Sequence, residues 1–272
     1  IQNRGHCINP NYHYSFILAG FDKFCPGFQA IEKPGAGSAQ VKAPGVRGAD
    51  IILDGTGHTF TGNVKVTTNE TGTDADAYAW IDGGSSVGLK IEKGSEVQGD
   101  LTLRSGHANT ITDEGDSGVV TVDGNLTATT YDNNGSITLD ELAVDGTIGL
   151  NTHGTGNAKV VKDNGLQFAA STVGGNLHAT AAAGNITQNS EALTITGSTT
   201  LITDTSNADI NLGTTTNAFT GEVTLSTTGS TGNATLNSGL PRCNLGLMMP
   251  PPLKPLLQPV WVETWRSRQG LG

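Results

Sequence analysis

Hydrophobic and polar residues alternate along several short stretches of this chain, and the same pattern recurs. Residues 172–181 read TVGGNLHATA, and related stretches read VDGNLTATT, VQGDLTLRS, FTGEVTLST and FTGNVKVTT. Each has an apolar residue two positions before a glycine, followed by apolar or small residues at every second position. A period of two is typical of a β-strand with one buried face. The pattern therefore predicts two short strands that meet at a glycine.

Alignment on that glycine yields seven copies, separated by 37, 25, 22, 29, 22 and 24 residues. A glycine on the inward side of a strand gives no side chain to pack, but it permits the chain to bend. The predicted corner glycines are Gly62, Gly99, Gly124, Gly146, Gly175, Gly197 and Gly221. The apolar residues two positions earlier are predicted to form one core column, which comprises Phe60, Val97, Val122, Val144, Val173, Ile195 and Phe219.

The repeat length indicates the fold. Between the glycine motifs lie further strand-like pieces such as ADIILDG, GSITLDE and GNITQNS. Several short strands per 22–29 residues, without a helical pattern, are typical of one coil of a β-solenoid. We therefore predict an all-β chain that forms a single parallel β-helix. Its Thr/Ser residues six positions after each glycine are expected to make a hydroxyl ladder. The 37-residue step is interpreted as a loop inserted at 69–86, a usual place for added function.

Proline divides the chain into three segments. All ten prolines fall in 1–45 or 241–272, and a long proline-free stretch suits continuous strand pairing. We predict an irregular leader or cap over 1–45, β-solenoid repeats over 46–239, and a Pro-rich tail or cap over 240–272. The last segment is either a cap over the open solenoid end or a tail not selected for this fold; the tail is favoured because the repeat breaks off abruptly. Without an initiator Met, the chain is expected to be a piece of a longer product.

Charge and cysteine content limit the classes of partner and of site that we expect for this chain. Residues 46–240 carry seven Lys/Arg against 22 Asp/Glu, and such an acidic body would repel phosphate backbones, so nucleic acid is not an expected partner. No apolar run approaches the ~20 residues that span a bilayer, so membrane insertion is not expected. Cys7, Cys25 and Cys243 show no CxxC spacing, which disfavours a zinc site or a disulfide framework; whether Cys7 pairs with Cys25 stays open.

A family resemblance lies in the run NGLQFAASTVGGNLHATAAAGNITQNSEALTITGSTTLIT at 164–203, followed by INLGTTTNAFTGEVTLSTTG. It resembles the repeat region of filamentous haemagglutinin-like exoproteins, over roughly 46–239 and most strongly from 120 onward. The resemblance implies a right-handed parallel β-helix in a long bacterial fibre, exported by the two-partner route to the cell surface or medium and used in adhesion. The family's N-terminal secretion domain is not recognisable in 1–45.

Several short motifs suggest chemistry, and each has a simpler structural explanation. GDSG at 115–118 matches the nucleophile loop of trypsin-like proteases but lacks the required His context. The glycine-rich runs GTGHTFTG and GTGNAK do not open a helix after a strand, as a phosphate loop must. The histidines share no repeat position and are interpreted as solvated surface residues: His6, His13, His58, His107, His153 and His178.

Two acidic clusters offer oxygen ligands of the kind that calcium prefers. One comprises Asp74, Asp76 and Asp82, and the other comprises Asp113, Glu114 and Asp116. Neither follows an EF-hand or GGxGxD pattern, so solvated turn carboxylates are the preferred interpretation. We predict no catalytic, metal-binding or cofactor-binding residues and no cofactor.

These observations bear on three possible functions. The preferred hypothesis is a non-catalytic structural segment of an adhesin-like fibre, with a glycan or host-surface ligand and end-to-end or lateral self-association as possible interactions. The alternative is a β-helix polysaccharide lyase or hydrolase, which needs carboxylates and a basic residue gathered on one face. The basic residues are expected to be scattered, with only Lys65 and Arg104 on the aligned outward positions. Ice binding is disfavoured because outward positions mix charged residues with threonine.

Overall fold

The structure is a computed structural model. It describes residues 50–239 except 56, 69–76, 107–109 and 115–117, together with the backbone of five short strands outside that range. Every regular element in the described residues is a strand, and no helix there is long and apolar enough to cross a membrane. The strands are β1 (Cys7–Ile8), β2 (His13–Tyr14), β3 (Gln29–Glu32), β4 (Ala39–Lys42), β5 (Ile51–Leu53), β6 (Val64–Thr67), β7 (Ala79–Asp82), β8 (Leu89–Glu92), β9 (Glu96–Val97), β10 (Leu101–Ser105), β11 (Ile111–Glu114), β12 (Val120–Val122), β13 (Leu126–Thr130), β14 (Ile137–Val144), β15 (Ile148–Asn151), β16 (Ala158–Lys162), β17 (Leu166–Phe168), β18 (Ser171–Val173), β19 (Leu177–Ala181), β20 (Ile186–Gln188), β21 (Leu193–Ile195), β22 (Thr199–Ser206), β23 (Ile210–Phe219), β24 (Val223–Thr228), β25 (Asn233–Ser238) and β26 (Glu263–Arg266).

Two 12-stranded sheets face each other across one core. Sheet 1 contains β5, β7, β10, β13, β15, β17, β18, β20, β21, β23, β25 and β26. Sheet 2 contains β3, β4, β6, β8, β9, β11, β12, β14, β16, β19, β22 and β24. The chain crosses from one sheet to the other and back in each coil, and successive coils pair in parallel. The predicted all-β parallel solenoid is confirmed.

The period-two pattern explains the core. In β10 and β13 the burial alternates residue by residue, and Leu101 lies opposite Leu126 while Leu103 lies opposite Ala128. Stacking like residues at the ~4.8 Å strand spacing builds continuous apolar columns. A single coil would bury little of this surface alone, so the coils stabilise one another.

Each coil has a long and a short face, and the corner glycine lies between them. The short face is a strand of about five residues that follows the glycine, as in β13 and β19. The long face is either one extended strand such as β14 or two strands joined by a kink, such as β17 with β18. The motif therefore marks the passage from the long face to the short face.

The glycine motif changes sheet along the chain, which corrects the single predicted column. After Gly99, Gly124 and Gly146 the short strand lies in sheet 1, whereas after the four other corner glycines it lies in sheet 2. Valines at 97, 122 and 144 stack on one another in sheet 2. The equivalent residues at 173, 195 and 219 stack in sheet 1. All seven predicted column residues are buried, but they do not form one column.

The strand that follows the corner glycine changes sheet where two short strands succeed each other without a long strand between them. β15 is followed by the equally short β16, and β6 is followed by the equally short β7. These places coincide with the two longest steps of the repeat, 29 and 37 residues. Gly175 accordingly stacks on Gly156, which the alignment had left out: its N–H donates to the Gly156 carbonyl at 2.8 Å.

Side chains that follow the corner glycines link neighbouring coils. The Asp100 carboxylate accepts the backbone N–H of Asn125 at 2.7 Å, and the Asn125 side-chain oxygen accepts the N–H of Thr147 at 2.9 Å. In the second column, Asn157 accepts the N–H of Asn176 at 2.8 Å in the same way. These bonds satisfy backbone donors at corners where strand pairing stops.

Inward hydroxyls close the turns. Thr130 and Thr152 are buried, and each hydroxyl donates to a carbonyl four or five residues later, at 2.7 and 2.8 Å. Each also accepts a backbone N–H from the following coil. The hydroxyls thus bond to backbone groups and not directly to one another.

Where a short strand pairs with a longer one within a sheet, a serine hydroxyl bonds backbone groups that strand pairing leaves unsatisfied. Ser95 lies at the kink between β8 and β9, accepts the N–H of Val66 at 3.0 Å and donates to a carbonyl three residues earlier at 2.7 Å. Ser171 lies at the kink between β17 and β18, accepts the N–H of Leu150 at 3.1 Å and donates to a carbonyl two residues earlier at 3.0 Å. Both serines are buried, where water does not satisfy backbone groups. Their hydroxyls therefore replace the hydrogen bonds that are lost where strands of unequal length pair.

The predicted inserted loop at 69–86 is partly wrong. Residues 79–82 form strand β7 of sheet 1, and Ala79 and Ile81 are fully buried. Residues 69–76 lie outside the described residues. The alternation of small and apolar residues at every second position makes this segment a strand, although its Asp and Gly content is typical of a turn.

Short strands from the flanking segments pair with both ends of the solenoid. β4 runs parallel to β6 and carries β3 on its other side, and β26 runs antiparallel to β25. The segment predicted as a Pro-rich tail or cap thus contributes one strand, Glu263–Arg266, to sheet 1. The prolines, Cys25 and Cys243 lie outside the described residues, so the predictions that concern them stay predictions.

Candidate functional site

Outward side chains are the ones that can meet a ligand, since inward ones fill the core. Many outward positions carry threonine, such as Thr102, Thr127 and Thr194, which make no charged site. Two groups differ from this background. The aromatic patch on sheet 1 comprises Tyr78, Trp80, Asp82, Arg104 and Tyr131. The charged face on sheet 2 comprises Lys90, Glu92, Lys93, Glu114, Asp140, Glu141 and Lys159, together with Asp113, which takes an inward position of β11 opposite Ile91 and is buried.

The aromatic patch is formed by residues on strands of two successive coils and by a residue in the turn after a third strand. The pairing register of these strands brings them together. Trp80 and Asp82 take alternate positions along β7, and Tyr78 directly precedes the strand in the same alternation; all three lie on the side opposite the buried Ala79 and Ile81. Arg104 of β10 pairs with Asp82 across the ladder. Tyr131 directly follows β13, and its backbone N–H donates to the carbonyl of Ser105 at 3.0 Å.

Asp82 is the centre of the aromatic patch. It is 0% exposed, and its Oδ1 accepts the N–H of Gly84 at 2.8 Å and the Tyr131 hydroxyl at 3.2 Å. Its Oδ2 lies 3.8 Å from Nη1 of Arg104, and this oxygen has no hydrogen-bond partner among the described residues. The Arg104 guanidinium carbon lies 4.9 Å from the centre of the Tyr131 ring, within range of a cation–π interaction.

Glycine at position 106 is needed for this arrangement. A Cβ atom there would overlap the edge of the Tyr131 ring. The ring therefore lies directly against the backbone of the neighbouring coil, which brings its hydroxyl to Asp82. Burial raises the pKa of the Tyr131 hydroxyl, and the nearby negative charge of Asp82 raises it further.

His58 corrects the expectation that the histidines are solvated. It is only 5% exposed, its ring stacks on Phe60 at a centroid distance of 5.9 Å, and its Nε2 has no hydrogen-bond partner among the described residues. Burial lowers the pKa of the imidazole, while the charges of Asp82 and Asp54 oppose that shift. His153 is exposed and His178 is half-buried on an outward position of β19.

The charged face corrects the expectation that basic residues are scattered. Lys90 pairs with Thr112 and Lys159 pairs with Thr138, and the two threonine-bearing strands are themselves paired, so both lysines lie in one row. Glu92 lies opposite Glu114 in the ladder, which places two carboxylates one strand spacing apart. Sequence alignment missed this grouping because these residues lie outside the glycine motif.

Four of the eight charged residues of this face are paired with one another. Lys93 contacts Glu141 at 3.0 Å, and Lys159 contacts Asp140 at 2.8 Å. The hydrogen bond from Lys159 lowers the pKa of the Asp140 carboxyl. The hydrogen bond to Glu141 raises the pKa of the Lys93 ammonium group.

Asp113 has a structural role within this face. Its two oxygens accept the backbone N–H groups of Asp140 at 3.1 Å and Glu141 at 2.8 Å. Those two residues bulge out of β14, between the pairings of Leu139 and Leu142 with β16. Burial raises the pKa of the Asp113 carboxyl although these hydrogen bonds oppose the shift. The carboxylate satisfies donors that the bulge leaves unpaired.

The described residues contain no group of three or more His, Cys, Asp or Glu that could hold a metal ion. Asp82 and Asp113 belong to different sheets, and Asp74, Asp76 and Asp116 lie outside the described residues. The GDSG motif also falls largely outside them, since only Gly118 is described.

One family model matches the chain. It is described as repeats of unknown function (DUF5649) and covers residues 155–226. This range begins just before β16 and ends within β24, where every corner glycine leads into sheet 2. Neither a curated protein nor a solved structure matches the chain. The chain is thus a repeat protein with a β-solenoid fold.

Proposed function

We propose that the chain is a structural segment of a bacterial adhesin-like fibre, displayed at the cell surface or secreted, and that it acts without catalysis. The observation that supports this best is continuous stacking: like residues lie above like residues through both sheets from β6 to β24. Such a solenoid holds outward side chains at fixed spacing along a rigid rod. The family match to repeats and the resemblance to filamentous haemagglutinin-like repeats agree with this function.

The polar interior of the fold has an architectural explanation. Ser95, Ser171 and Asp113 all bond backbone groups that a change of strand length leaves open. Side chains after the corner glycines bond the next coil. These buried and corner polar groups thus stabilise the stack, as expected for a scaffold.

Surface labelling tests the proposal. Antibodies raised against the purified 272-residue chain should label intact, unpermeabilised source cells or detect the protein in the medium. External protease should remove the cell-bound signal. Labelling only after permeabilisation, with the protein in the cytoplasmic fraction, would contradict the proposal.

A second candidate function is cleavage of a polysaccharide on the charged face. The specific observation is that three lysines and five carboxylates gather there, and glycan-cleaving sites use positioned carboxylates. Glu92, Asp113 and Glu114 are the carboxylates of this face that hold no lysine in the described ion pairs, and Asp113 is already engaged by two backbone N–H groups.

A turnover assay separates this candidate from the scaffold. Neutral and acidic polysaccharides are incubated with the chain, and release of reducing ends or unsaturated ends is measured. Turnover that Glu114→Gln abolishes and Glu222→Gln retains would favour an enzyme, because Glu222 is an exposed acid outside the charged face. Absence of turnover on all substrates favours the scaffold.

A further inference from the structure

We propose that the aromatic patch binds a neutral pyranose sugar, with Trp80 as the stacking surface and Asp82 and Arg104 as the hydroxyl-binding pair. Its biological setting rests on the proposed adhesin-like function, but the binding itself does not. The proposal depends on three observations: the convergence of aromatic residues, unsatisfied buried polar atoms, and the restriction of the patch to one end of sheet 1.

The aromatic residues converge although they are rare in the repeats. Residues 46–239 contain six aromatics, and the three phenylalanines are buried in the core. The three others are Tyr78, Trp80 and Tyr131, and all are partly exposed on the same end of sheet 1. Rigid amphipathic rings give large contact area at low entropic cost. The C–H face of a pyranose ring offers a matching apolar surface.

Buried polar atoms of this region lack partners. Oδ2 of Asp82, Nε1 of Trp80 and Nε2 of His58 are buried and form no hydrogen bond with any of the described residues. An unsatisfied buried polar group is costly, so two such atoms on β7 and a third on His58, on which the charge of Asp82 acts, indicate that something else completes the region. Two of the atoms belong to the patch itself, and Asp82 is completely buried.

The contact between Arg104 and Asp82 can be opened by a hydroxyl group. Their closest atoms are 3.8 Å apart, which is too long for a direct hydrogen bond, and Oδ2 is buried, so a sugar hydroxyl bridges the two when the partly exposed Arg104 side chain moves aside. A sugar hydroxyl both donates and accepts, so it can accept from the guanidinium and donate to Oδ2. A protonated amine only donates hydrogen bonds and a carboxylate only accepts them.

Charge favours a neutral ligand. Arg104 is already engaged by Asp82 and Tyr131, while Asp50 and Asp54 act electrostatically on Tyr78. The body of the chain carries 22 acidic against seven basic residues over 46–240. A sialylated or uronic glycan would meet net repulsion at this site.

The fold does not require the patch. Thr102, Thr127 and Thr129 take equivalent outward positions in the next coils, and the ladder continues through them without aromatic or charged contacts. Trp80 and Arg104 are therefore not needed to stack the coils. Both side chains are partly exposed and can contact a ligand.

Saturation-transfer NMR on the full 272-residue chain tests the site. The probes are the methyl pyranosides of glucose, galactose and mannose, with sialyllactose as the acidic comparison. We expect saturation of at least one neutral pyranoside at millimolar concentration and a weaker signal from sialyllactose. Trp80→Ala and Arg104→Lys should each reduce affinity at least about tenfold, whereas Thr194→Ala on the same sheet should leave it unchanged.

Arg104→Lys keeps the test informative if Trp80→Ala fails to fold, because Arg104 is partly exposed and its replacement retains the charge. No saturation of any neutral pyranoside, equal binding in the wild type and both patch variants, or stronger binding of sialyllactose would overturn the proposal. Surface labelling reports separately on the fibre. A labelled fibre that binds no sugar contradicts this proposal alone, and a cytoplasmic protein that binds sugar contradicts the proposed function alone.

Discussion

Replacing Ser171 with alanine tests how the solenoid tolerates strands of unequal length. The hydroxyl accepts the Leu150 N–H at 3.1 Å and donates to the Ala169 carbonyl at 3.0 Å, and the serine is 2% exposed. Alanine removes both bonds, and water cannot readily replace them in this core. Because each buried group left unsatisfied costs about 1–3 kcal/mol, we expect a loss of about 2–4 kcal/mol in the free energy of unfolding.

Urea unfolding followed by circular dichroism measures this loss. Ser95→Ala should show a similar loss, since Ser95 makes the equivalent pair of bonds at the other change of sheet. Ser226→Ala is the matched control, because Ser226 is exposed on β24 and should change stability by under ~0.5 kcal/mol. If Ser171→Ala unfolds like the control, the serine does not compensate the mismatch and the reasoning fails.

Three further predictions concern the core, a corner and a bulge. Val144→Asp places an unpaired charge in a buried column and should cost several kcal/mol in thermal unfolding, whereas the outward Thr127→Lys should cost under ~0.5 kcal/mol; equal melting would contradict the assigned inward and outward positions. Gly197→Ala puts a Cβ 2.5 Å from the carbonyl of the stacked glycine and should cost at least about 2 kcal/mol, while Gly57→Ala has open space and should be neutral; a stable Gly197→Ala would show that the corners are looser than described. Burial holds the folded-state pKa of the Asp113 carboxyl above its ordinary 3.8, so its contribution to stability falls as pH rises from 3.8 through that folded pKa. Asp113→Asn should remove this fall from denaturation curves taken across the window, and an unchanged pH dependence would assign it to other groups.

The strands and their inward faces could be predicted from the sequence because alternation is a local property. In β13, Leu126 and Ala128 face inward and Thr127 faces outward, as the pattern indicates. The choice of sheet is not local. The motif around a corner glycine has the same sequence pattern whichever sheet the next strand joins. Gly146 and Gly175 therefore look equivalent in the sequence, although they lead into different sheets. The two longest repeat steps mark the changes of sheet, but a long step alone is equally compatible with an inserted loop, which is the interpretation given to the 37-residue step.

The aromatic patch and the charged face depend on register between distant residues. Asp82 and Arg104 pair across neighbouring coils, and Tyr131 joins them from a third. No spacing in the sequence specifies these contacts until the pairing of β7 is known. Strand β7 could not be predicted because the composition around Trp80 is typical of a turn. Asp and Gly outnumber the alternating apolar residues there.

The change of sheet between Gly146 and Gly175 is the central structural claim, and disulfide formation tests it most directly. With Cys7, Cys25 and Cys243 replaced by serine, two cysteine pairs are compared under mild oxidation. Val161 and Thr180 are direct neighbours in sheet 2, so the pair Val161→Cys with Thr180→Cys should cross-link efficiently.

Asn151 takes the position that the single-column alignment places beside Thr180, yet it lies in sheet 1. Facing sheets are about 10 Å apart and these side chains point outward from opposite sides, so Asn151→Cys with Thr180→Cys should not cross-link. Thiol titration and mass spectrometry of proteolytic peptides measure the fraction of each pair that forms a disulfide. Cross-linking of the first pair only is the predicted result, and efficient cross-linking of the second pair would contradict the two-column solenoid.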